Sequence, residues 1–599
     1  MKVYYLNGKR VYYAIMAGAR KVSHQRHHLN EINVFPVADG DTGNNLSLTL
    51  NHILEEVKPQ LAANQTFESI AAASLTGARG NSGVILAQFL NGLAEEVKPH
   101  KEISTDVFGE SLIRSIPYAY ESMANPVEGT MLTVLKEWAE AFYELGKKSN
   151  DFGEVLTKSL DRARESLKST PEKLEVLKKA SVVDSGAQGL VHFLEGITEV
   201  LSPGKIKALV REKRTAEVID FPEEGHMKSE IEYRYCTEGY LDGKQMPLEE
   251  IKKYLMGKGD SVIVAGNPNR IRFHFHTDHP EEIFIHMSQY GVIKQQKVDD
   301  MRRQQDAMES EKPSIAIVTD SIADIPKAMM DQYHIHLLPL QLLVGETPYL
   351  DRVTIIPEQI FSFLEKVKEY PTSSQPTVTR IRETLDFLVS HYEHVLVLTV
   401  SGSISGTYQA ILHEAEKYNG KKERIAVIDT LKNSGAQGLL VLSAAEAVQN
   451  GKTFEEVKNL VKSLIPKTHI YVSVATFEYM VRGGRVSPMK GKLAKWLNLK
   501  PIVSLDEKGK GVAFAKAFSR KANTRKIMEI VDSLHQEKPV KDYCIVHGDA
   551  PDKAEEYREK LVKILGKEPK YITGISPIVA LSSGKGAVAV SLVQEWEEA

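Results

Sequence analysis

The spacing of apolar residues changes twice along this 599-residue chain, and that change limits the fold more than any single motif. Up to about Pro203, Ala- and Leu-rich stretches such as Phe67 to Leu75, Val84 to Val97 and Leu132 to Leu145 recur at helical spacing between Gly/Asn/Ser loops. A charged stretch from Lys205 to Glu224 then marks a boundary, and a mixed pattern follows. Ser261-Val-Ile-Val-Ala and Arg270-Ile-Arg-Phe-His-Phe-His276 read there as strands around a turn at Gly266-Asn-Pro-Asn. The polar run Asp299 to Pro313 is a second linker. From Ser314 onward, Ile315-Ala-Ile-Val-Thr, His394-Val-Leu-Val-Leu-Thr-Val and Arg424-Ile-Ala-Val-Ile-Asp alternate with helical patterns, the βαβ signature of a mostly parallel sheet. Ile470-Tyr-Val-Ser-Val-Ala and Tyr543-Cys-Ile-Val-His mark a second lobe. A chain this long does not close around one core. The expectation is a multidomain protein: an all-α domain over 1–205, an α+β middle domain over 206–311 and an α/β two-lobed domain over 312–599.

Composition excludes several classes. A net charge of −3 argues against bulk electrostatic binding to nucleic acid or anionic membrane. No apolar run approaches a membrane span, and Met1-Lys-Val-Tyr-Tyr-Leu-Asn-Gly-Lys has no signal-peptide core, so no stable membrane insertion is expected. Two cysteines, Cys236 and Cys544, cannot make a disulfide framework and fit a reducing compartment, which reads as cytoplasmic. Ser-Gly-Ala-Gln-Gly-Leu occurs at 185–190 and again at 434–439 without a wider period, so it reads as two similar helix starts rather than a repeat.

Four loops in the helical segment carry phosphate-type chemistry. Asp39 and Asp41 sit two apart in Asn33-Val-Phe-Pro-Val-Ala-Asp-Gly-Asp-Thr-Gly-Asn-Asn45. Mg²⁺ takes one or two carboxylates plus substrate phosphates, and Asn33 could add a neutral oxygen. Thr42, Gly43, Asn44 and Asn45 offer N–H groups and side chains at a helix start. Alone, Asp-Gly-Asp is more often a turn with an Asx cap. Gly77-Ala-Arg-Gly-Asn-Ser-Gly83, Val127-Glu-Gly-Thr-Met131 and Asp184-Ser-Gly-Ala187 add three more cradles, and four together lean toward one shared nucleotide. No Walker A motif is present, so this is not a P-loop enzyme.

These loops resemble the nucleotide domain of the dihydroxyacetone kinase family, and more closely the kinase subunit of bacterial fatty acid kinase. The resemblance implies an α-helical barrel that binds ATP through two Mg²⁺ ions held by Asp39 and Asp41, the catalytic positions. Where dihydroxyacetone kinases have a third Asp this chain has Asn33, which the resemblance places as a further Mg²⁺ ligand. Thr42, Asn44, Asn45, Ser82, Thr130 and Asp184 fall at phosphate- or nucleotide-contacting positions, with Gly43, Asn81 and Met131 beside them in the same loops. A kinase for dihydroxyacetone itself is disfavoured, because the chain lacks the module that carries that family's substrate-binding His.

In the middle segment, His274 and His276 alternate with Phe273 and Phe275, and period two puts both imidazoles on one face of a strand. Two such His are by default solvent-facing polar residues. With Cys236, in Tyr235-Cys-Thr-Glu238, they make a three-ligand Zn²⁺ candidate. This segment resembles the middle domain of the fatty acid kinase's catalytic chain, which carries the same Cys and His-x-His pair, and the resemblance implies a zinc site there. Asp278 and His279 are candidate neighbours; His24, His27 and His28 read as a solvated helix face or loop cluster.

In the C-terminal segment three polar loops follow strands: Thr319-Asp-Ser-Ile-Ala-Asp-Ile-Pro326, Pro371-Thr-Ser-Ser-Gln-Pro376 and Thr399-Val-Ser-Gly-Ser-Ile-Ser-Gly-Thr-Tyr408. Any one of them alone is better explained as a capped turn. Together they resemble the DegV family, which buries an acyl chain in an apolar tunnel and holds its carboxylate with hydroxyls. The resemblance places the fatty acid head group near Ser373 and Ser401, with Arg482 or Arg485 of Arg482-Gly-Gly-Arg485 meeting it or the kinase domain. Ser582 stands where the family has a His. The three blocks, usually separate proteins, are fused here. The expected reaction is transfer of the ATP γ-phosphoryl group to a carried fatty acid carboxylate, by a protein expected to be a homodimer. The alternative from another class is a non-catalytic lipid-binding or regulatory protein with a vestigial nucleotide site. A carboxylate is already ionised at neutral pH, so no general base is needed.

Overall fold

The computed structural model describes residues 2–36, 40–123, 125–201, 231–308, 314–367, 369–420, 423–474, 479–480 and 500–595. Two compact units divide the chain, Met1–Gln304 and Gln305–Ala599. No helix among the described residues is long and apolar enough to cross a membrane.

The first unit begins with helices α1 (Gly8–His24), α2 (Arg26–Glu31), α3 (Thr42–Glu56), α4 (Ala63–Gly77), α5 (Gly80–Glu96), α6 (Thr105–Glu121), α7 (Met131–Gly146), α8 (Phe152–Lys168), α9 (Thr170–Lys173), α10 (Glu175–Ala180) and α11 (Ser185–Leu201). Each long helix buries a stripe at helical spacing; in α5 it includes Leu86, Phe89, Leu90 and Leu93. Consecutive helices α3 to α8 pack side by side, and α11 returns to lie on α8 and α1, closing a ring around a core of Phe67, Phe108, Trp138, Phe142 and Phe152. The closure depends on two glycines: a Cβ on Gly196 would stand 2.4 Å from the Ala17 carbonyl, and one on Gly18 would stand 2.5 Å from the Phe193 ring. No other residue permits so close a crossing of α1 and α11.

Strands β1 (Tyr235–Asp242), β2 (Asp260–Asn267), β3 (Arg270–Thr277) and β4 (Val292–Asp300) complete this unit as an antiparallel sheet in the order β2-β3-β1-β4. Phe273 of β3 packs on Phe284 of the helix Pro280–Met287, with ring centres 5.7 Å apart. The edge strand β2 is covered by the helical domain: Val264 N–H donates to the Ser122 carbonyl at 3.1 Å, and Gly266 N–H donates to Gln88 Oε1 at 3.2 Å.

Among the described residues the second unit holds three sheets. Strands β5 (Ile315–Asp320), β6 (His336–Leu338), β10 (His394–Thr399) and β11 (Ile425–Asp429) form a parallel sheet in the order β11-β10-β5-β6. Its central strand is buried on both faces, which is why Val395 to Leu398 read as a continuous apolar run. Strands β7 (Gln341–Val344), β8 (Thr347–Leu350) and β9 (Thr372–Ser374) pair antiparallel. The second lobe is a six-stranded mixed sheet, β14-β13-β12-β17-β15-β16, of β12 (Thr468–Ser473), β13 (Lys500–Leu505), β14 (Gly511–Ala517), β15 (Val540–His547), β16 (Tyr571–Gly574) and β17 (Val588–Gln594).

Three fully buried carboxylates tie the loops of this unit together. Asp320 accepts from the Val400 and Ile322 N–H groups and from Gln437 Nε2. Asp324 accepts from Ser576 N–H at 2.7 Å and from the Ser434 hydroxyl. Asp351 accepts from Ile578 N–H at 3.1 Å, while its Oδ2 has no hydrogen-bond partner among the described residues. Burial raises Asp320 and Asp324 to about 6 and Asp351 to about 7, against hydrogen bonds that pull the other way. The folded unit therefore keeps protons that the unfolded chain has already released. The stability this confers is complete below the ordinary carboxylate range and is lost as pH rises through about 6 to 7. Asp351→Asn is expected to raise the melting temperature at pH 8 by about 4 °C relative to its effect at pH 5. Calorimetry at the two pH values checks this, and an equal shift at both would refute it.

Candidate functional site

The four phosphate-type loops converge. Each precedes or opens a helix, α3, α5, α7 or α11, so each contributes a helix N-terminus. Loop one meets loop two where Gly80, at φ +57°, lies against the Asn45 side chain; a Cβ on Gly80 would stand 2.3 Å from Asn45 Nδ2. Loop two meets loop four where Gly186 faces Ser82, with room for no Cβ: one there would lie 2.6 Å from Ser82 Oγ. Loop four meets loop three through Asp184, whose carboxylate accepts from Ala187 N–H at 2.7 Å and from Met131 N–H.

Not every group in these loops is free to meet a ligand. Asn44 N–H is held by Asn30 Oδ1 at 3.1 Å, and Asn45 N–H donates to the Asp41 carbonyl. The Thr130 hydroxyl donates to the Val127 carbonyl at 2.7 Å. Asp184 is 5% exposed and is engaged as a strut between two helix starts; burial raises it to about 6, opposed by the Ala187 and Met131 N–H groups. Asn81 Oδ1, by contrast, is buried without a hydrogen-bond partner among the described residues, as an atom waiting for a ligand would be. Asp41 is the N-cap of α3, Thr42 and Gly43 are buried in its first turn, and Asn33 is buried. Asp39 lies outside the described residues.

The sheet of the first unit brings a second group of side chains to this place. Its register sets Asp260, His276, Cys236 and Asp299 side by side across β2, β3, β1 and β4, and sets His274, Glu238 and Lys297 in the next rank on the same face. Cys236, His274 and His276 present ligand atoms all within 4.8 Å of one another, and Cys236 Sγ stands 3.9 Å from His274 Nδ1. Donors around a tetrahedral zinc are roughly 3.5 Å apart, so small side-chain adjustments would let this set hold one cation with a position left open. His276 Nδ1 lies 2.9 Å from Asp260 Oδ1, the carboxylate–imidazole contact that orients a metal-binding His. Both imidazoles are buried, at 3% and 5% exposure, so the solvent-facing default for this strand does not hold: the face is covered by the helical domain. Burial lowers His274 and raises Cys236 well above the ordinary thiol, and Asp41 acts electrostatically on both, which puts this cluster beside loop one. Asp278 is instead bonded to Arg234 N–H, and His279 is exposed beside Glu281. His24 and His28 are exposed, and His27 is half-buried.

Sequence reasoning assigns no role to Glu238, Arg272 or Lys297. Glu238 is 1% exposed; its Oε1 accepts from Gly80 N–H at 3.1 Å, and its Oε2 lies 2.9 Å from Arg272 and 3.6 Å from Arg79. Burial would raise its pKa, but Lys297, His274, Arg272 and Arg79 together hold it well below the ordinary range. The same period of two that pairs His274 with His276 also pairs Glu238 with Cys236, so the signal is present in Cys236-Thr-Glu238.

In the second unit the hydroxyl loops also meet. Gly406 abuts Gln375 Oε1, joining the loop of Ser401 to that of Ser373, and Tyr370 Oη donates to the Leu581 carbonyl next to Ser582. Ser401 is fully buried, and its hydroxyl donates to the Gly509 carbonyl at 2.9 Å. Ser373 sits on β9, and Ser582 is half-buried on the helix Pro577–Ser583. The loop Thr319–Pro326 contributes buried carboxylates rather than ligand hydroxyls. Arg482 and Arg485 lie outside the described residues.

Three family descriptions match consecutive stretches: the DAK2 domain over 36–199, the FakA-like middle domain of fatty acid kinase over 232–308, and the DegV family over 314–595. The chain thus carries, in one polypeptide, the domain architecture of the fatty acid kinases. An uncharacterized protein of Staphylococcus epidermidis is 34% identical over 342 residues, which cover 53% of this chain and 62% of that protein. One of Staphylococcus aureus is 35% identical over 308 residues, 50% of this chain and 56% of its own length. The chain therefore spans less than two thirds of these relatives. Among solved structures, a fatty-acid-binding DegV family protein of Thermus thermophilus is 26% identical, covering 47% of this chain and 99% of its own, with a TM-score of 0.43. DegV of Bacillus subtilis, a fatty acid binding protein, is 27% identical over 47% of this chain and 100% of its own, also with a TM-score of 0.43.

Gly186→Ala is expected to push Ser82 out of place and weaken binding of magnesium-bound ATP about tenfold, with the melting temperature changed by less than about 3 °C. Titration calorimetry checks it; unchanged affinity would separate Ser82 from the nucleotide.

Proposed function

We propose that this chain transfers the γ-phosphoryl group of ATP to the carboxylate of a fatty acid held by its own DegV-family domain, giving an acyl phosphate and ADP. The observation that carries the kinase half is the convergence of the four loops through Asn45–Gly80, Ser82–Gly186 and Asp184–Met131. In a chain without a Walker A loop, such a meeting of helix N-termini is what a polyphosphate needs.

In this reading Asp41, with Asp39, holds Mg²⁺, and Asn33 lies close enough in sequence to add an oxygen. Bound Mg²⁺ neutralises charge on the phosphates and the leaving group. The rest falls to the chain itself. Thr42 and Ser82 donate to phosphate oxygens, Asn81 Oδ1 accepts from the nucleotide or ligates the cation, and Asp184 fixes two of the helix starts so that these groups are aimed before the ligand arrives. The acceptor carboxylate brings its own negative charge, so the site orients it and excludes water rather than removing a proton. Ser373 and Ser401 hold that carboxylate; Ser401 does so by turning its O–H from the Gly509 carbonyl, and Ser582 alters the third contact. Cys236, His274 and His276 make a site whose one sulfur and two nitrogen donors suit Zn²⁺.

The test is chemical trapping. Purified protein is mixed with Mg-ATP, a fatty acid and hydroxylamine, and acyl hydroxamate is measured beside the lipid extracted from the same sample. Product is expected with the natural chain. Asp41→Ala is expected to lower it at least about 100-fold while the extracted lipid stays unchanged. Lipid without hydroxamate in the natural chain would reduce the protein to a binding module, and full turnover in Asp41→Ala would remove the metal assignment.

A further inference from the structure

We propose that Glu238 is a positioning residue that links occupancy of the Cys236–His274–His276 cluster to nucleotide affinity, so that a cation in the cluster tightens the phosphate loop. The inference rests on the kinase reading above and adds a regulator to the same site.

The geometry is that of a shared acceptor. Glu238 Oε1 accepts from Gly80 N–H, the first donor of α5, and stands 3.5 Å from His274 Nδ1. The same imidazole nitrogen faces Cys236 Sγ at 3.9 Å. A cation in the cluster fixes which nitrogen of His274 carries hydrogen. It thereby decides whether Oε1 is shared between His274 and Gly80 or given to Gly80 alone. The carboxylate has little freedom to absorb that change, because Oε2 is clamped by Arg272 at 2.9 Å, and Arg272 Nη1 in turn donates to the Thr76 carbonyl at 2.8 Å, at the end of α4. Both ends of the loop between α4 and α5 are therefore fastened to this one ion pair. What moves Glu238 moves Gly80, and Asn81 and Ser82 follow it in the first turn of α5. A cation also adds positive charge beside Asp41, so both effects favour a polyphosphate.

Linkage distinguishes this device from a cluster that merely stabilises the sheet. If the cation raises nucleotide affinity by some factor, the nucleotide must raise cation affinity by the same factor. Binding of a non-hydrolysable ATP analogue with Mg²⁺ is measured by calorimetry on zinc-loaded protein and on protein stripped by a chelator that is then removed. Zinc affinity is measured with and without the analogue. The natural chain is expected to bind the analogue about tenfold more weakly when stripped, with the reciprocal shift in zinc affinity. Glu238→Gln is expected to reduce both shifts to less than about twofold while still binding zinc and nucleotide. Because Glu238→Gln leaves Arg272 without its counter-charge, the pair Glu238→Gln with Arg272→Met is measured too, with the same result expected. A tenfold linkage that survives in these variants would mean that charge alone acts through space, and would overturn the role of Glu238. Nucleotide binding that ignores zinc in the natural chain would overturn the link and leave the kinase reading standing. No nucleotide binding in either form would overturn both.

Discussion

Ionised carboxylates are costly to bury, and the first unit is organised around one it cannot release. Glu238 remains charged within the protein because Arg272, Arg79 and Lys297 surround it and Gly80 N–H caps it. Removing Arg272, the buried cation 2.9 Å from it, would leave a poorly compensated charge in a low-dielectric interior, a cost of about 3–5 kcal/mol. The sheet is therefore held against the helical ring in one register and one position. That buried charge cluster explains why a polar strand face is buried, why the histidines on it are shielded from water, and why the loop opening α5 has a defined shape.

The second unit solves a related problem with acids whose proton affinity is raised rather than lowered. Asp320, Asp324 and Asp351 are surrounded mainly by backbone N–H groups and hydroxyls, with only Arg352 near as a cation among the described residues. Hydrogen bonds from neutral groups satisfy them without compensating the full cost of ionisation, and their proton affinities rise. In both units buried acids gather loops that are far apart in sequence, and the candidate ligand residues stand on those loops.

Much of the architecture was legible in the sequence, because it rests on spacing. The helices around Phe67, Val84 and Leu132, the hairpin at Gly266, and the βαβ alternation after Ser314 all follow from apolar period and turn residues. The four loops were also legible as helix starts. Their mutual contacts were not, since Gly80 against Asn45 or Gly186 against Ser82 depends on how the ring of helices closes. The burial of His274 and His276 escaped the sequence for a similar reason. Period two tells which residues share a face but not what covers it. Thr319–Pro326 was legible as a polar loop after a strand; that its acids are internal struts was not, because that is set by neighbours such as Val400 and Ser576 that lie 80 and 252 residues away.

The register of β1 with β3 has a consequence for how such a chain can change over time. Cys236 opposes His276 and Glu238 opposes His274, while Phe273 and Phe275 point the other way. Loss or gain of one residue within β3 would present phenyl rings to the loops and bury imidazoles in the apolar layer. Losing or gaining two would restore the faces but shift every partner by one rank. Point substitutions can drift here one at a time, yet strand length cannot, so relatives that keep this centre should differ in length only outside the paired segments.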